Sequence, residues 1–395
     1  MTTTAGTAGT AAPAGTAAPA ATGQDLLYSE VEDDLRASVR ALLADRCPHT
    51  AVLARCEGDE PHDPALWSAL AADLGAAGLA VPEERGGHGA SWRETAVVME
   101  ELGRSAAPVP FLGSAVLAAA ALLGCDPRRQ EAAELLAGVA SGTTAAALAV
   151  GFSTAPGAEF PCTVRADDAG ALTGRVTAVA DAPAAQVLLV PAIGPDGPGL
   201  YAVDAAGAGV STAVPPALDL TRRIGHLDLD GAAGRLLAGP DRARAALERA
   251  LLTGAGMLAS EQLGLAEWCL EETVRHVRGR TQFGRPVGSF QALKHRLADL
   301  WLEVVSARAA ARSAADALAS DAPDADVAVA VAQSYCADVA VHAAEECVQL
   351  HGGIGMTWEH PAHLYLKRAK ADQIALGTPG RHRARLAGLV GLPPV

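Results

Sequence analysis

The chain has 395 residues, of which half are hydrophobic and only 4% are aromatic. This length predicts two or three domains with a large core. The net charge of −14 and the pI near 5.2 argue against binding to nucleic acid or to an anionic membrane, because both need a basic surface.

The seven cysteines are scattered along the chain and form no Cys-x-x-Cys pair. We interpret them as reduced packing residues of a cytoplasmic protein. No histidines are clustered at the spacing of metal ligands, so the sequence predicts no metal site.

Residues 1–23 consist mostly of alanine, threonine, glycine and proline, a composition typical of a disordered tail. This tail lacks the basic start and the apolar centre of a signal peptide. No apolar stretch elsewhere reaches about 20 residues without charges or helix breakers, which is the length that a membrane span needs. We therefore expect no membrane segment.

Residues 24–143 show helix patterns throughout and predict an N-terminal helical domain. Ser29 stands three positions before Glu32, a capping signature that predicts the start of a helix. Asp63 before a proline, and Ser91 before another apolar periodic segment, predict two further helix starts.

The pattern changes twice after this domain. Residues 144–240 contain short apolar runs broken by glycine and proline about every 8–12 residues, which predicts a small antiparallel β domain, a barrel or a sandwich. Residues 241–395 are helical again, with long one-sided apolar patterns at 241–279, 289–319 and 326–350 and a further helix after position 360. These four helices predict a bundle, so the fold class is mainly α with a middle β domain.

The segment "RGRTQFGRPVGSF" follows the first long helix of the predicted bundle. Arg280 offers a planar fork of donors that suits a phosphate, Gln282 offers an amide, and Phe283 offers a flat apolar surface. Together these groups predict a binding site for something flat and phosphorylated. The alternative is that Arg280 caps the helix and Phe283 fills the core.

The segment "QLHGGIG" is the second motif. Gln349 lies at the end of a predicted helix, and Gly352 and Gly353 allow backbone N–H groups to approach an anion closely. A plain helix C-cap explains these glycines equally well.

With both motifs in this order, the sequence resembles the acyl-CoA dehydrogenase family over nearly its whole length after the tail. The stretch "LWSALAADLGAAGLAVPEERGGHGASWRETAVVMEELGRSAAPVP" resembles the N-terminal domain of that family, and "RTQFGRPVGSFQALKHRLADL" and "QLHGGIGMTWEHPAHLYLKRA" resemble its two C-terminal signatures. The resemblance implies a helical domain, a β domain and a four-helix bundle, assembled as dimers of dimers around FAD. It also implies α,β-dehydrogenation of an acyl thioester of CoA or of an acyl-carrier protein, with electrons passed to an electron-transfer flavoprotein-type acceptor.

The resemblance assigns FAD binding to six residues, here called the clamp: Arg280, Gln282, Phe283, Gln349, Gly352 and Gly353. In the family's dimer these elements reach the FAD of the neighbouring subunit. The resemblance also places Thr378 among the cofactor-binding residues.

The catalytic base of the family is not where its best-known members carry it. A carboxylate is needed to remove the C2 proton of the thioester, and in many members a glutamate precedes the Gly-Thr pair of the last helix. Here that position is Leu376. Some relatives hold the base on the first bundle helix, at a position that aligns with Gly254, where no side chain exists.

Glu261 is the remaining candidate base on that helix. It lies seven residues after Gly254, about two turns later, and therefore on roughly the same face. The alternative is an ordinary solvated or salt-bridged glutamate. Glu267 and Glu359 are weaker candidates because nothing in their spacing directs them to the flavin.

The middle domain departs from the family as well. The usual Thr-Glu-Pro-x-x-Gly-Ser-Asp loop and Trp-Ile-Thr-Asn strand, which hold the flavin ring and the thioester, are replaced by "VGFSTAPGAEFPCTVRADDAGALTGRVTAVADAPAAQ". The chain thus keeps the elements given to a neighbour and loses those used for itself. This pattern predicts the base-lacking subunit of a hetero-oligomer with a homologous partner. The alternatives are a self-sufficient homo-oligomer, or related flavin oxidoreductase, with a displaced base such as Glu261, and a flavin-free scaffold.

Overall fold

The structure is a computed structural model that describes Thr2, residues 26–60 and residues 62–393. Apart from Thr2, the tail predicted for residues 1–23 lies outside the described residues. Within them the predicted fold class is confirmed: helices precede and follow a middle β region. The predicted domain boundaries themselves stay predictions.

The N-terminal region is helical, and its helices begin where the capping residues predict. Ser29 accepts from the Glu32 backbone N–H, and the Glu32 carboxylate accepts from the Ser29 N–H at 2.7 Å, so the predicted capping box is present. Ser91 forms a capping box as well, and the Asp63 side chain caps its helix by accepting from the Leu66 N–H. The helices are α1 (Glu30–Arg46), α2 (His49–Glu57), α3 (Pro64–Ser68), α4 (Trp92–Ser105), α5 (Ala119–Leu123) and α6 (Gln130–Ala140). Residues Leu112–Ala118 form a buried π-helical segment that leads into α5.

The middle region forms a closed barrel. The strands are β1 (Ala146–Leu148), β2 (Val164–Ala166), β3 (Ala171–Ala180), β4 (Val187–Gly194), β5 (Gly197–Asp204), β6 (Val210–Ala213) and β7 (Ile224–Ala238). In the barrel β4 pairs with β2 and β5, β7 pairs with β5 and β3, and β3 pairs with β2. The prediction of an antiparallel domain misses two parallel pairings, β1 with β4 and β2 with β4. Short strands carry no signal for the direction of their partner, so the sequence could not reveal this.

The C-terminal region is a bundle around a central helix, Ala325–His351, which packs against the four other helices of this region. A two-stranded hairpin of β8 (Thr281–Gln282) and β9 (Arg285–Pro286) separates the first two helices. The helices are α7 (Ala243–Gly279), α8 (Gln291–Ala319), α9 (Ala325–His351), α10 (Ala362–Ile374) and α11 (Pro379–Leu389). The interior is unusually rich in alanine, which lets these helices approach one another closely.

One segment, Ala325–Met356, is long and apolar enough to cross a membrane by length and composition, although the sequence analysis expected none. It contains α9, and 61% of its most apolar window is buried inside the protein. A core helix surrounded by other helices meets the same criterion, because its apolar residues face protein on several sides.

All seven cysteines are free, and six of them are buried while Cys162 is exposed. The packing role interpreted from the sequence therefore holds for these six cysteines, and it is wrong for Cys162.

Candidate functional site

The hairpin after α7 turns its aromatic residue outward. Phe283 is 87% exposed and adopts a left-handed backbone with φ of 54°, next to Gly284 at 74°. A bulky residue in that region is strained, and an exposed phenylalanine gains nothing from the core. Phe283 therefore does not fill the core of this chain. Its ring stands at 89° to the ring of Phe290, with centroids 6.1 Å apart.

The turn after α9 is open. Gly352 is exposed with φ of 64°, and a Cβ added to Gly352 or to Gly353 would meet no atom within 4 Å. The Gly352 N–H closes the helix by donating to the Gln349 carbonyl. The segment is thus a helix C-cap and an accessible surface at the same time.

The polar clamp side chains are exposed and unused. Arg280 contributes its backbone to α7 and the hairpin, since its N–H donates to the His276 carbonyl at 2.9 Å. Among the described residues, the side chains of Arg280, Gln282 and Gln349 have no hydrogen-bond or ion-pair partner. These donors remain available to a molecule outside the chain.

Both clamp segments leave the bundle at the same end. The rings of His276, near the end of α7, and His351, at the end of α9, have centroids 4.1 Å apart. Arg280 follows the first histidine by one helical turn, and Gly352 follows the second directly. The fold therefore brings together two motifs that are far apart in the sequence.

The two positions at which the resemblance expects a base meet in the core. Leu376 is fully buried, and its Cδ1 would lie 3.1 Å from a Cβ added to Gly254. Leu117 closes the same space at 2.4 Å from that added Cβ. The contact region is apolar and has no room for a carboxylate on α7.

Leu376 is also tied to the β region. Its N–H donates to the Phe152 carbonyl at 2.6 Å, its backbone is left-handed with φ of 51°, and His382 Nε2 lies 3.0 Å from its carbonyl oxygen. Thr378 is exposed and caps α11 by accepting from the Arg381 N–H at 3.3 Å. The Gly-Thr pair retained after Leu376 thus starts a helix.

A cavity of about 370 Å³ lies beside this junction. Phe152, Ser153 and Ala178, from the segments that replace the family's flavin-ring loops, line one side, and Ile374 with Ala375 lines the other. This size is at the lower end of ordinary ligand pockets. Arg222 also lines the cavity, and its buried Nε has no hydrogen-bond partner within the described residues.

Glu261 is part of a buried ionic network. Arg222 Nη2 lies 2.6 Å from Glu261 Oε2, and Arg368 Nε lies 2.9 Å from Glu261 Oε1. Arg222 also pairs with Asp372, and Arg368 with Asp219, both at 3.0 Å. The network joins the loop after β6 with α7 and α10, so its first role is to hold these segments together.

The network sets the charges of its carboxyl groups. Burial would raise the pKa of Glu261, but the two arginines outweigh it and lower that pKa. Burial and the neighbouring Glu261 charge raise the pKa of Asp372 well above its usual range. The neutral form of Asp372 is therefore favoured, while Glu261 is ionised between the two arginines. An ionised carboxylate held by two arginines is a weak base, so this arrangement favours a structural Glu261.

The weaker candidates are placed elsewhere. Glu267 is buried between Arg104 at 3.3 Å and Arg308 at 2.7 Å. Glu359 is exposed in the turn before α10.

The sequence analysis missed Arg222, Arg368 and Asp372. The four-residue spacing of Arg368 and Asp372 on one helix face was the available signal, but Arg222 lies in an irregular loop.

Comparison with known protein families gives matches to both helical regions of the chain. A model of the acyl-CoA dehydrogenase N-terminal domain matches residues 29–143, and a model of the C-terminal domain matches residues 243–390. The chain belongs to the acyl-CoA dehydrogenase family. Members of this family are FAD-dependent oxidoreductases, so the clamp residues should fit FAD.

Three similar proteins illustrate the relationship. Acyl-CoA dehydrogenase IpdE2 of Mycolicibacterium smegmatis is 37% identical over 359 residues, covering 91% of this chain and 98% of that protein. A chain of the ChsE4-ChsE5 complex from Mycobacterium tuberculosis is 32% identical with a TM-score of 0.82, covering 94% of this chain and 100% of that one. A chain of a single-site variant of the Tcur3481-Tcur3483 steroid ACAD is 32% identical with a TM-score of 0.80, covering 92% and 98%.

The acyl-CoA dehydrogenase cofactor fits the clamp surface. Unpartnered donors of Arg280, Gln282 and Gln349 suit the phosphates and polar edges of FAD, Phe283 offers a flat face, and the glycine turn is open. The cavity beside Leu376 has mainly apolar walls. Its buried Arg222 Nε has no hydrogen-bond partner among the described residues, so the cavity fits a flavin ring less completely than the clamp fits FAD.

Proposed function

We propose that this chain is the base-lacking subunit of a hetero-oligomeric acyl-CoA dehydrogenase, and that its clamp binds FAD held mainly by a homologous partner subunit. The observation that carries the proposal is the contact of Leu376 with Gly254, since both base positions of the family are apolar and closed. Two relatives at 32% identity come from complexes named for two proteins, ChsE4-ChsE5 and Tcur3481-Tcur3483, which supports a two-chain assembly here.

The clamp residues divide the binding of the cofactor among them. Arg280 supplies charge-assisted donors for a phosphate, the amides of Gln282 and Gln349 donate or accept, and Phe283 covers an apolar face. Gly352 and Gly353 let backbone N–H groups come close, because no Cβ stands in the way. When bound, FAD supplies the hydride acceptor of the dehydrogenation.

The partner subunit supplies the proton acceptor in this proposal. Leucine cannot take the C2 proton, and Glu261 is occupied by Arg222 and Arg368. Glu261 therefore positions the loop before β7 against α7 and α10, and does not act as a base. Thr378 caps α11, and in this proposal the exposed part of its side chain also contacts the cofactor.

The remaining features of the proposed reaction follow from the family. The substrate is an acyl thioester of CoA or of an acyl-carrier protein, and the electron acceptor is of the electron-transfer flavoprotein type. The proposed cytoplasmic location rests instead on the scattered cysteines of the sequence. The steroid ACAD among the relatives supports including bulky acyl groups among the substrates tested.

A second candidate function is a self-sufficient homo-oligomer with its own flavin pocket. The cavity next to Phe152 and the unpartnered Nε of Arg222 favour it, because a buried donor at a cavity wall suits a polar ligand. A flavin-free scaffold is disfavoured, because no ligand would then cover the exposed Phe283 and offset the strain of its backbone.

The experiment is expression of the chain alone and together with a homologous relative that has a glutamate before its Gly-Thr pair. We expect little FAD in the chain alone, about one FAD for each pair of subunits in the complex, and flavin reduction by acyl-CoA thioesters only in the complex. A yellow homo-oligomer from single expression that holds one FAD per chain and dehydrogenates acyl-CoA would reject the proposal in favour of the second candidate.

A further inference from the structure

A cluster of metal-ligand side chains lies at the end of the bundle from which the clamp emerges. One ligand atom from each of Glu272, His351 and His360 lies within 4.8 Å of the other two. Both histidine nitrogens are close to the carboxylate oxygen, at 3.6 Å for His351 and 3.4 Å for His360. Ligand atoms about 2.0–2.2 Å from a tetrahedral metal are separated by roughly these distances.

The buried histidine of the cluster has a free coordinating nitrogen. Its Nδ1 lies 2.6 Å from the Cys347 carbonyl oxygen, which can only accept, so the proton is on Nδ1. The lone pair of Nε2 then points away from this contact, and Nε2 is buried with no hydrogen-bond partner among the described residues. A second-sphere carbonyl that fixes the tautomer is typical of metal-ligating histidines.

We propose that Glu272, His351 and His360 form a binding site for a divalent transition metal of the zinc type. Two imidazole nitrogens and one carboxylate oxygen are borderline donors that suit this ion better than calcium or magnesium. Three protein ligands leave a fourth position for water or for the neighbouring His276, whose ring centroid is 4.1 Å from that of His351.

The groups around the cluster are compatible with the ion. Arg275 holds both oxygens of the Glu272 carboxylate, with Nε at 2.8 Å from Oε2 and Nη2 on Oε1. Its side chain is largely exposed, so releasing Oε1 to a metal costs little. His360 Nδ1 accepts from the Ala362 N–H at 3.2 Å. Coordination through Nε2 puts the ring proton of His360 on Nδ1, so metal binding costs this long hydrogen bond from Ala362.

None of the three proposed metal ligands is a clamp residue. The sequence predicts no metal site, because the three ligands come from α7, the end of α9 and the turn before α10, and their sequence spacing has no recognisable pattern. A metal here crosslinks these segments. Both clamp segments continue from it, since Gly352 follows His351 and Arg280 follows Glu272 by two helical turns.

The test uses the full-length chain without a histidine tag, stripped with a chelator and then titrated with Zn²⁺ by calorimetry. Metal content is measured after gel filtration, and Co²⁺ is used as a visible probe of tetrahedral coordination. We expect one zinc per chain, a cobalt spectrum typical of tetrahedral sites, and a higher unfolding temperature with zinc. His360→Gln and Glu272→Gln should each weaken zinc binding more than about 10-fold.

His342→Gln is the matched control, because His342 is an exposed histidine on the same helix as His351 and pairs with Glu303. It should bind zinc as the original chain does. His351→Gln gives a second loss if it folds, while the partly exposed His360 keeps the test independent of core packing. Absence of stoichiometric zinc, or equal zinc retention in His360→Gln and His342→Gln, would overturn the proposal. No readout involves flavin, so this result stands apart from that of the co-expression experiment.

Discussion

Leu376 and Gly254 lie against each other, with Leu376 Cδ1 placed 3.1 Å from where a Cβ of Gly254 would be. They are far apart in the sequence, but they are the two positions at which acyl-CoA dehydrogenases of different kinds are expected to hold the base. We interpret this contact as the point that a base on α7 and a base before the Gly-Thr pair would share. In this chain that point is occupied by the leucine side chain, so neither base can be restored without repacking.

Leu376→Glu should destabilise the chain without creating activity. The side chain is fully buried, and an unpaired carboxylate there costs several kcal/mol. Leu376→Met is the control, because it keeps the volume and apolar character and should cost less than about 1.5 kcal/mol. The measurements are denaturant unfolding and flavin reduction by acyl-CoA. Dehydrogenation by the isolated Leu376→Glu chain would show that a flavin ring and a thioester already lie beside this residue.

Gly254→Ala tests the same contact by size alone. The new Cβ would lie 2.4 Å from Leu117 Cδ2, so we expect overpacking to lower the free energy of unfolding by about 1–3 kcal/mol. Gly279→Ala, at the end of the same helix, meets no atom within 4 Å and should be neutral or slightly stabilising. Equal stability of the two variants would mean that Leu117 and Leu376 move aside freely.

Glu261→Gln should affect stability much more than catalysis. It leaves Arg222 and Arg368 with one fewer carboxylate in a buried site, and breaking such a pair costs about 3–5 kcal/mol. The loss should be near the lower value, because without the Glu261 charge Asp372 can ionise and take its place. Glu271→Gln, which breaks an exposed contact with Arg104, should cost no more than about 1 kcal/mol.

The catalytic half of this prediction is measured on the two-subunit complex. Its rate of flavin reduction should stay near the original value in Glu261→Gln, because removing a general base costs about 10²- to 10⁴-fold only where that base acts. A collapse of the reductive rate with retained folding and substrate binding would identify Glu261 as the base.

The sequence predicts the architecture better than the site. The capping box of Ser29 and Glu32 and the long periodic helices are local signals, and each one is present in the structure. The partners of Glu261 are different, because Arg222 and Arg368 reach it from a loop and from another helix. Side-chain contacts between distant segments depend on packing, which periodicity does not encode. The exposure of Phe283 is a similar case, since an apolar residue after a helix usually faces the core.

Glu32→Gln should show a loss of stability that depends on pH. Burial alone would raise the pKa of Glu32, but hydrogen bonds from Arg93, the Ser29 N–H and Arg312 lower it from 4.5 to about 2. Because the folded-state pKa is depressed, the stabilisation is complete above the unfolded value and is lost as the pH falls through the folded value. The difference in unfolding free energy between the original chain and the variant should be constant above about pH 5 and shrink below it. Urea unfolding at several pH values measures it, and a difference that stays constant down to about pH 3 would contradict this assignment.

Arg280→Ala should weaken FAD retention without unfolding the bundle. The side chain is exposed and has no partner among the described residues, so its removal costs the free chain almost nothing. In the complex it removes a charge-assisted contact worth about 1.5–3 kcal/mol, which corresponds to roughly 10- to 150-fold in affinity. Arg278→Ala is the matched control, since Arg278 is an exposed arginine on the last turn of α7 and is not part of the clamp. Flavin release from the two-subunit complex, followed by fluorescence, compares the two variants. If both release FAD at the same rate as the original complex, Arg280 serves only as the residue that ends α7.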